Sequence, residues 1–392
     1  MRIQSISIEP LPNGFTRSQI AAAISPRFQE LILLPTEKCN FRCTYCYEDF
    51  ELGVMSPEVQ RAIELFLDER IKDLVKLDLS WFGGEPLVAK AVVLRLSRYA
   101  KALCEKNNVR FAGGLTTNAY LLDRETANDL LDCSMDFFQI TLDGWGEMHD
   151  VVRRRADGRG TFDVIWNNLL DLKRLDREFE CSVRIHVRRD NVDNLKILMR
   201  EYAKEFGSDR RFYLNFQHLR NLGGAGGKTI VDGISREELV EFESELRREV
   251  LQVLGSNRNS EPPNEAKKSA PEVFVSSLEH GEGAGESASS ARRSDIVAGA
   301  PYICYAAKPN SLLIRSNGRI GKCTVAFDDQ RNDIGQINPD GTITVDNEKL
   351  QPWIRGLGTL ELLDVGCPIQ KMSKQKSSGQ MLGNIPVVEQ TY

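Results

Sequence analysis

The sequence predicts an α/β fold: parallel strands curled into a partial (β/α)6 TIM-like barrel, followed by a small α+β domain. Three observations predict it. Six strand-type runs recur between residues 31 and 216, and amphipathic stretches of helical period separate most of them. Residues suited to ligand binding gather at the C-terminal ends of those runs, where parallel barrels carry their chemistry. The composition then breaks between residues 255 and 300, and a differently patterned segment follows. A chain of 392 residues is long for one domain, which agrees with two packed units. The expected organisation is an N-terminal extension at 1–29, a barrel at 30–254, a flexible linker or lid at 255–300 and a C-terminal domain at 301–392.

Residues 1–29 form a short extended segment without legible chemistry. The strand runs are 31–34, 77–82, 109–117, 137–142, 181–187 and 211–216. Between the first two, Ser56-Pro57 is an N-cap with proline at the first helical position, and Val59, Ile63, Phe66 and Leu67 recur at helical spacing. Ser235 and Glu238 form a capping box that opens the last helix of the series. Strands alternating with helices give a parallel sheet, and right-handed crossovers curl it. Residues 255–300 are rich in Ser, Glu, Gly, Pro and Ala and contain Phe274 as their one aromatic residue, so they bury little. After them, Ser316-Asn317-Gly318-Arg319 reads as a glycine turn between two strands.

Composition excludes several function classes. Hydrophobic residues at 41 % suffice for a core, and a formal net charge of −5 gives no reason to expect nucleic acid or an anionic membrane as the partner. No apolar run approaches the roughly 18 residues of a membrane span, and the N-terminus lacks the apolar stretch of a signal peptide. The expected location is the cytoplasm, where nine cysteines read as metal ligands and buried apolar side chains.

The strongest motif is Cys39-Asn40-Phe41-Arg42-Cys43-Thr44-Tyr45-Cys46, spaced C-x3-C-x2-C directly after the first strand. Three thiolates can hold three corners of an iron-sulfur cube, and the next cysteine is as distant as Cys104. A cube held three times keeps one iron open for a ligand. A zinc knuckle is disfavoured, because zinc sites pair their ligands as C-x2-C. The other strand ends carry Gly83-Gly84-Glu85-Pro86, Thr117-Asn118, Thr141-Leu142-Asp143 and Arg184. Taken singly each is a turn or a polar edge; at successive strand ends they favour one shared pocket. His186 and His218 read as core histidines, and Arg153-Arg154-Arg155 as a solvated face. Cys104, Cys133 and Cys181 read as buried fillers.

These motifs resemble the radical S-adenosylmethionine enzymes over most of residues 31–220. The resemblance implies a 4Fe-4S cluster on Cys39, Cys43 and Cys46, with S-adenosyl-L-methionine chelated at the open iron. It implies cofactor contacts from Tyr45, Gly83, Gly84, Glu85, Pro86, Thr117, Asn118, Thr141, Asp143 and Arg184. The run Asp143-Gly144, His149-Asp150, Arg153 and Gly160-Thr161-Phe162-Asp163 is similar to the peptide-modifying branch, the maturases of ribosomally made peptides. Cys304, Cys323 and Cys367, with Gly318 five residues before Cys323, resemble the auxiliary-cluster domain of that branch, called SPASM or, in its shorter form, twitch. An oxidative maturase of a precursor peptide is the implied function, with a second 4Fe-4S cluster on those three thiols, a flavodoxin or ferredoxin as electron donor, and, because only 38 residues precede Cys39, leader recognition by a separate leader-binding protein or by barrel contacts.

The chain departs from that pattern in two places. After Cys367 no cysteine follows, and the stretch 369–380 carries Gln370, Ser373, Ser377 and Ser378 where the family has thiols. A fourth auxiliary ligand is left open among Asp364, water and a substrate group. Thr324 stands where sulfatase maturases carry an acidic residue, so Asp328 or Asp329 would have to replace that base. A small-molecule dehydrogenase of the twitch type and a sulfatase-maturase-like enzyme are the rival readings.

Overall fold

The computed structural model describes residues 11–227, 229–230, 233–258, 274–275 and 301–372. The first ten residues, most of the expected linker at 255–300 and the serines from Ser373 onward lie outside the described residues.

Residues 17–24 correct the expectation of an extended N-terminus. They form helix α1 (Arg17–Ile24), opened by a capping box in which Gln19 N–H donates to Thr16 Oγ1 at 3.2 Å and Thr16 N–H donates to Gln19 Oε1 at 3.0 Å. Thr-x-x-Gln is a helix start that the sequence carries openly. Phe15, just before it, is buried against Leu360 and Val365 of the C-terminal region.

The six expected strands are present as β1 (Phe28–Leu33), β2 (Lys76–Trp81), β3 (Arg110–Thr117), β4 (Met135–Leu142), β5 (Glu180–Val187) and β6 (Phe212–His218), each parallel to the next. Between them run α2 (Pro57–Arg70), α3 (Lys90–Lys106), α4 (Arg124–Asp132), α5 (Glu147–Val152), α6 (Phe162–Lys173) and α7 (Val192–Phe206). Helix α2 begins where Ser56 Oγ accepts from Val59 N–H at 3.3 Å. On α7 the residues Leu195, Leu198, Met199, Tyr202 and Phe206 recur at helical spacing and are buried. Each such side chain contributes about 1.5–3 kcal/mol on leaving water. Beyond β6 come α8 (Gly224–Gly227), α9 (Arg236–Arg258) and the two-residue β7 (Phe274–Val275), which pairs with β6.

The sheet does not close. In the described residues its order is β11-β10-β9-β8-β1-β2-β3-β4-β5-β6-β7. The C-terminal strands β8 (Ser311–Ile314), β9 (Arg319–Gly321), β10 (Gly335–Ile337) and β11 (Ile343–Val345) form an antiparallel meander. It is attached through β8, which runs parallel to β1 with Glu30 opposite Ser311 and Leu33 opposite Ile314. Gly318 turns the β8–β9 hairpin with φ +83, a conformation that favours glycine.

Strand patterning positions the site. Parallel strands buried on both faces are usually continuous apolar runs. Here Gln139, Thr141 and Asp143 alternate with Phe138, Ile140 and Leu142, and Ser182, Arg184 and His186 alternate with Val183, Ile185 and Val187. The apolar set joins the core, whereas Thr141, Arg184 and His186 line a cavity at the strand ends. Thr141, Arg184 and Asn215 stand in register across β4, β5 and β6. Among the described residues no helix is long and apolar enough to cross a membrane.

Candidate functional site

The loop carrying the cysteine triplet leaves β1 and is held as one side of a short ladder. Phe41 bridges Arg155, Arg42 N–H donates to Arg154 O at 2.9 Å, and Thr44 N–H donates to Val152 O at 2.9 Å. Phe41 is wholly buried and pins the loop. Cys39, Cys43 and Cys46 are half-buried free thiols, and all three line one open cavity of about 1030 Å³, solvent at its mouth included. Burial pushes the thiols of Cys39 and Cys43 well above the usual thiol range, and burial followed by Glu48 pushes that of Cys46 to about 12. Left alone these side chains stay protonated; a metal centre supplies the positive charge that deprotonates a coordinating thiol. Among the described residues no three His, Cys, Asp or Glu side chains converge as the ligands of a single ion do. A cube takes each thiolate on a different iron, so its ligands stand further apart, and three thiols around one cavity fit that demand.

The end of β2 packs backbone to backbone on this loop. Gly83 and Gly84 have φ +85 and +21, and a Cβ on Gly84 would meet Lys38 O at 2.3 Å and Glu37 O at 2.7 Å. Glu85 N–H donates to Lys38 O at 3.0 Å. The glycines line the cavity, while Glu85, Pro86 and Asp143 lie behind its wall. Glu85 is fully buried and accepts from Leu87 N–H at 2.9 Å, Thr117 Oγ1 at 2.8 Å and Asn118 N–H at 2.7 Å. It therefore orients Thr117 and Asn118, which do line the cavity with Thr141 and Arg184.

Asp143 sits at the centre of a second network. The Tyr45 hydroxyl donates to Asp143 Oδ2, Arg153 donates to Tyr45 Oη at 2.7 Å, and His186 Nδ1 lies 3.0 Å from Asp143 Oδ1. Burial opposes ionisation of this carboxyl, but His186 and then Arg153 outweigh burial and hold it well below the usual carboxylate range. The neighbouring run is explained as scaffold. His149 Nδ1 accepts from Asp143 N–H at 3.2 Å, and Asp150 Oδ1 accepts from Thr161 N–H at 2.7 Å and Phe162 N–H at 2.9 Å, capping α6.

Three side chains of the cavity correct the sequence reading. Arg153 is buried inside the site, whereas its neighbour Arg154 is exposed as expected. His186 and His218 line the cavity instead of the core, and the in-phase alternation of Ser182, Arg184 and His186 was the available signal. Glu48 was missed altogether. It accepts from Gly84 N–H at 2.5 Å, and burial raises its carboxyl to about 8 against the pull of that amide.

The second group of thiols also converges. Cys304 and Cys323 are buried and Cys367 is half-buried. Burial first, then the neighbouring thiol of Cys367, raises Cys304 to about 12; burial and then Cys304 raise Cys323 further. Asn332 clamps this corner, its Oδ1 accepting from Cys323 N–H at 2.9 Å and its Nδ2 donating to Cys323 O at 2.8 Å. Of the carboxylates considered for roles there, Asp364 is paired with Arg355 at 3.2 Å and Asp329 with Arg331. Cys104, Cys133 and Cys181 are core residues.

Comparison with known proteins agrees with this geometry. The Radical SAM superfamily profile matches residues 33–202. The chain is 27 % identical over 210 residues to the Fe-coproporphyrin III synthase of Methanosarcina barkeri, covering 52 % of this chain and 47 % of that protein. It is 30 % identical over 223 residues to the GTP 3',8-cyclase of Campylobacter fetus subsp. fetus, covering 52 % and 61 %. The chain thus spans about half the length of the curated relatives it matches. Among solved structures, anSMEcpe with bound AdoMet and Cp18Cys peptide superposes with a TM-score of 0.57 at 16 % identity, over 87 % of this chain and 88 % of that one. Streptococcus suis SuiB bound to precursor peptide SuiA gives 0.55 at 14 % identity, over 87 % and 69 %. At such identities the structural likeness speaks for the fold alone. Since the matched segment contains the cysteine loop and every cavity-lining strand end from β1 to β5, residues 33–202 constitute a radical SAM domain.

Proposed function

We propose that this protein is a radical S-adenosylmethionine peptide maturase that installs an oxidative crosslink, carbon-carbon, ether or thioether, or another residue modification in a ribosomally made precursor peptide. The observation that carries the reading is that Cys304, before β8, Cys323, after β9, and Cys367, on the helical turns that follow β11, are close enough to act on one another's ionisation, next to a meander hydrogen-bonded to β1, and that Phe327, four residues after Cys323, packs on Tyr47 at the end of the first triplet. A second cluster on those thiols would suit a net oxidation, because it would offer the substrate's surplus electron a place to go.

In this reading Cys39, Cys43 and Cys46 hold a 4Fe-4S cluster, and Gly83, Gly84, Thr117, Asn118, Thr141 and Arg184 cradle S-adenosylmethionine. When bound, cluster and cofactor supply one-electron cleavage and removal of a hydrogen atom from an unactivated carbon. Tyr45, tied to Arg153 and Asp143, keeps the cysteine loop in place against the β4 and β5 ends. Glu85 holds Thr117 and Asn118 toward the cavity. Cys304, Cys323 and Cys367 hold an auxiliary 4Fe-4S cluster. The substrate enters past His218 and Arg220 at the end of β6, which line the far wall. A flavodoxin or ferredoxin donates electrons, and the leader is bound by barrel contacts or by a separate protein. Support for a peptide substrate comes from anSMEcpe and SuiB, whose structures hold peptides. The relation to a GTP 3',8-cyclase favours a second reading, a small-molecule radical enzyme.

Anaerobic reconstitution tests the proposal. About eight irons per chain, falling to about four in a Cys304→Ala, Cys323→Ala, Cys367→Ala variant, together with dithionite-driven 5′-deoxyadenosine, is the expected result. No iron and no deoxyadenosine would overturn it. Equal iron in both proteins would remove the auxiliary cluster, and turnover of nucleotides or sugars without modification of peptides would select the second reading.

A further inference from the structure

One ion pair joins the two thiol-bearing regions. Arg315, at the end of β8, donates from Nε to Glu37 Oε1 at 2.8 Å and from Nη2 to Glu37 Oε2 at 2.6 Å. Both side chains are withdrawn from water, at 13 % and 2 % exposure. Glu37 lies two residues before Cys39, and its carbonyl is among the atoms against which Gly84 packs. The same guanidinium stacks 5.2 Å from the centroid of Phe327 and donates to Phe327 O at 3.3 Å. Phe327 follows Cys323 by four residues and packs on Tyr47, directly after Cys46, with ring centroids 6.2 Å apart. Arg315 thus holds the start of the 39–46 loop directly, through Glu37, and the loop after Cys323 through Phe327, whose ring in turn packs on Tyr47 at the far end of the cysteine loop.

Such a pair is costly to build. Two charges lose their hydration, and a pair of apolar side chains would often serve stability as well. What apolar side chains would not supply is a bidentate, direction-specific clamp and a fixed cation balancing the carboxylate beside Cys39.

We infer that Arg315 and Glu37 are a positioning and charge-balancing pair for the 39–46 cysteine loop, through which the C-terminal meander sets the geometry and the reduction potential of the centre bound there. The inference rests on the proposed cluster at Cys39, Cys43 and Cys46. Net charge near an iron-sulfur cluster is one of the terms that set its potential. Removing Arg315 leaves a buried carboxylate uncompensated and makes the cluster harder to reduce; removing Glu37 leaves a cation and makes it easier.

The test compares wild type, Arg315→Gln, Glu37→Gln and the double variant, reconstituted without oxygen and titrated by electron paramagnetic resonance. The expected potentials are more negative for Arg315→Gln, more positive for Glu37→Gln and close to wild type for the double variant, with Arg315→Lys nearer to wild type than Arg315→Gln. In the apoproteins, either single variant melts below the double variant, because each strands one buried charge. Four equal potentials, or a double variant displaced by the sum of the singles in melting temperature, would overturn the inference. Should Arg315→Gln fail to fold, an unmoved potential in Glu37→Gln overturns it equally. A wild-type protein that takes up no iron on the first triplet defeats the proposed function instead, and the apoprotein melting cycle then still decides whether the two residues act as a pair.

Discussion

At the scale of single residues the site depends on buried polar groups that orient one another, so their loss is felt through neighbours. Glu85 does not reach the cavity but fixes two groups that do. Glu85→Gln keeps one acceptor oxygen where three donors need two, and a stranded buried donor costs about 1–3 kcal/mol. The expected outcome is that much lost stability in urea unfolding of the apoprotein, with weaker S-adenosylmethionine binding by calorimetry on the reconstituted protein. His149 sets a pH dependence. Burial, and next the charge of Arg153, lower its imidazole from an ordinary 6.5 to about 4. The unfolded chain therefore binds more protons between those values, and stability falls as pH drops through that window. The expected loss is on the order of 3 kcal/mol for this group, checked by urea unfolding at several pH values, and His149→Gln flattens the slope. The cysteines, Gly83, Gly84, Thr117, Asn118, Thr141 and Arg184 were legible because their types and strand-end positions announce them. Glu48 and Arg153 were not, since a lone acid after a cysteine loop or an arginine in a basic run has the same signature at the surface as in a pocket.

At the scale of elements, the strands were read to within a few residues because apolar alternation and helical period differ so sharply. Caps were equally plain: Ser56 and the Ser235–Glu238 box act as their spacing indicates. Helix α6 is different, for its first amides are met by Asp150, which lies 11 residues before Thr161. Asp150→Ala is expected to cost about 1–2 kcal/mol in urea unfolding, while Asp150→Asn, which keeps an acceptor, costs less. The same carboxylate packs against Gly160, where an added Cβ would come within 2.3 Å of its Oδ2. Helix α1 went unread although Thr16 and Gln19 form a capping box. Two turns in which three polar residues are followed by Ile-Ala-Ala-Ala-Ile give no periodic face, and the packing partner Leu360 is too distant in sequence to be anticipated.

For the whole molecule, the decisive feature is that the C-terminal meander continues the barrel sheet. Strand β8 covers the edge of β1 that an isolated barrel would leave unpaired, next to the cysteine loop. A chain ending at residue 258 exposes that edge, and exposed edges pair with other chains. The expected result is aggregation on size-exclusion chromatography and loss of iron at the first triplet, measured against the full chain; a monomeric, iron-binding fragment would show that the barrel needs no edge cover. What the sequence by itself determined is the alternation of strands and helices, the polar stripe at the strand ends and the two groups of thiols, because each is written in local periodicity or in residue type. Only the tertiary structure decided that the two thiol-bearing regions are joined by one continuous sheet, that Arg153 and His186 turn inward, and that Arg315 meets Glu37. Those facts depend on contacts between residues 43 to 278 or more positions apart, whose partners are selected by packing and charge rather than by local pattern.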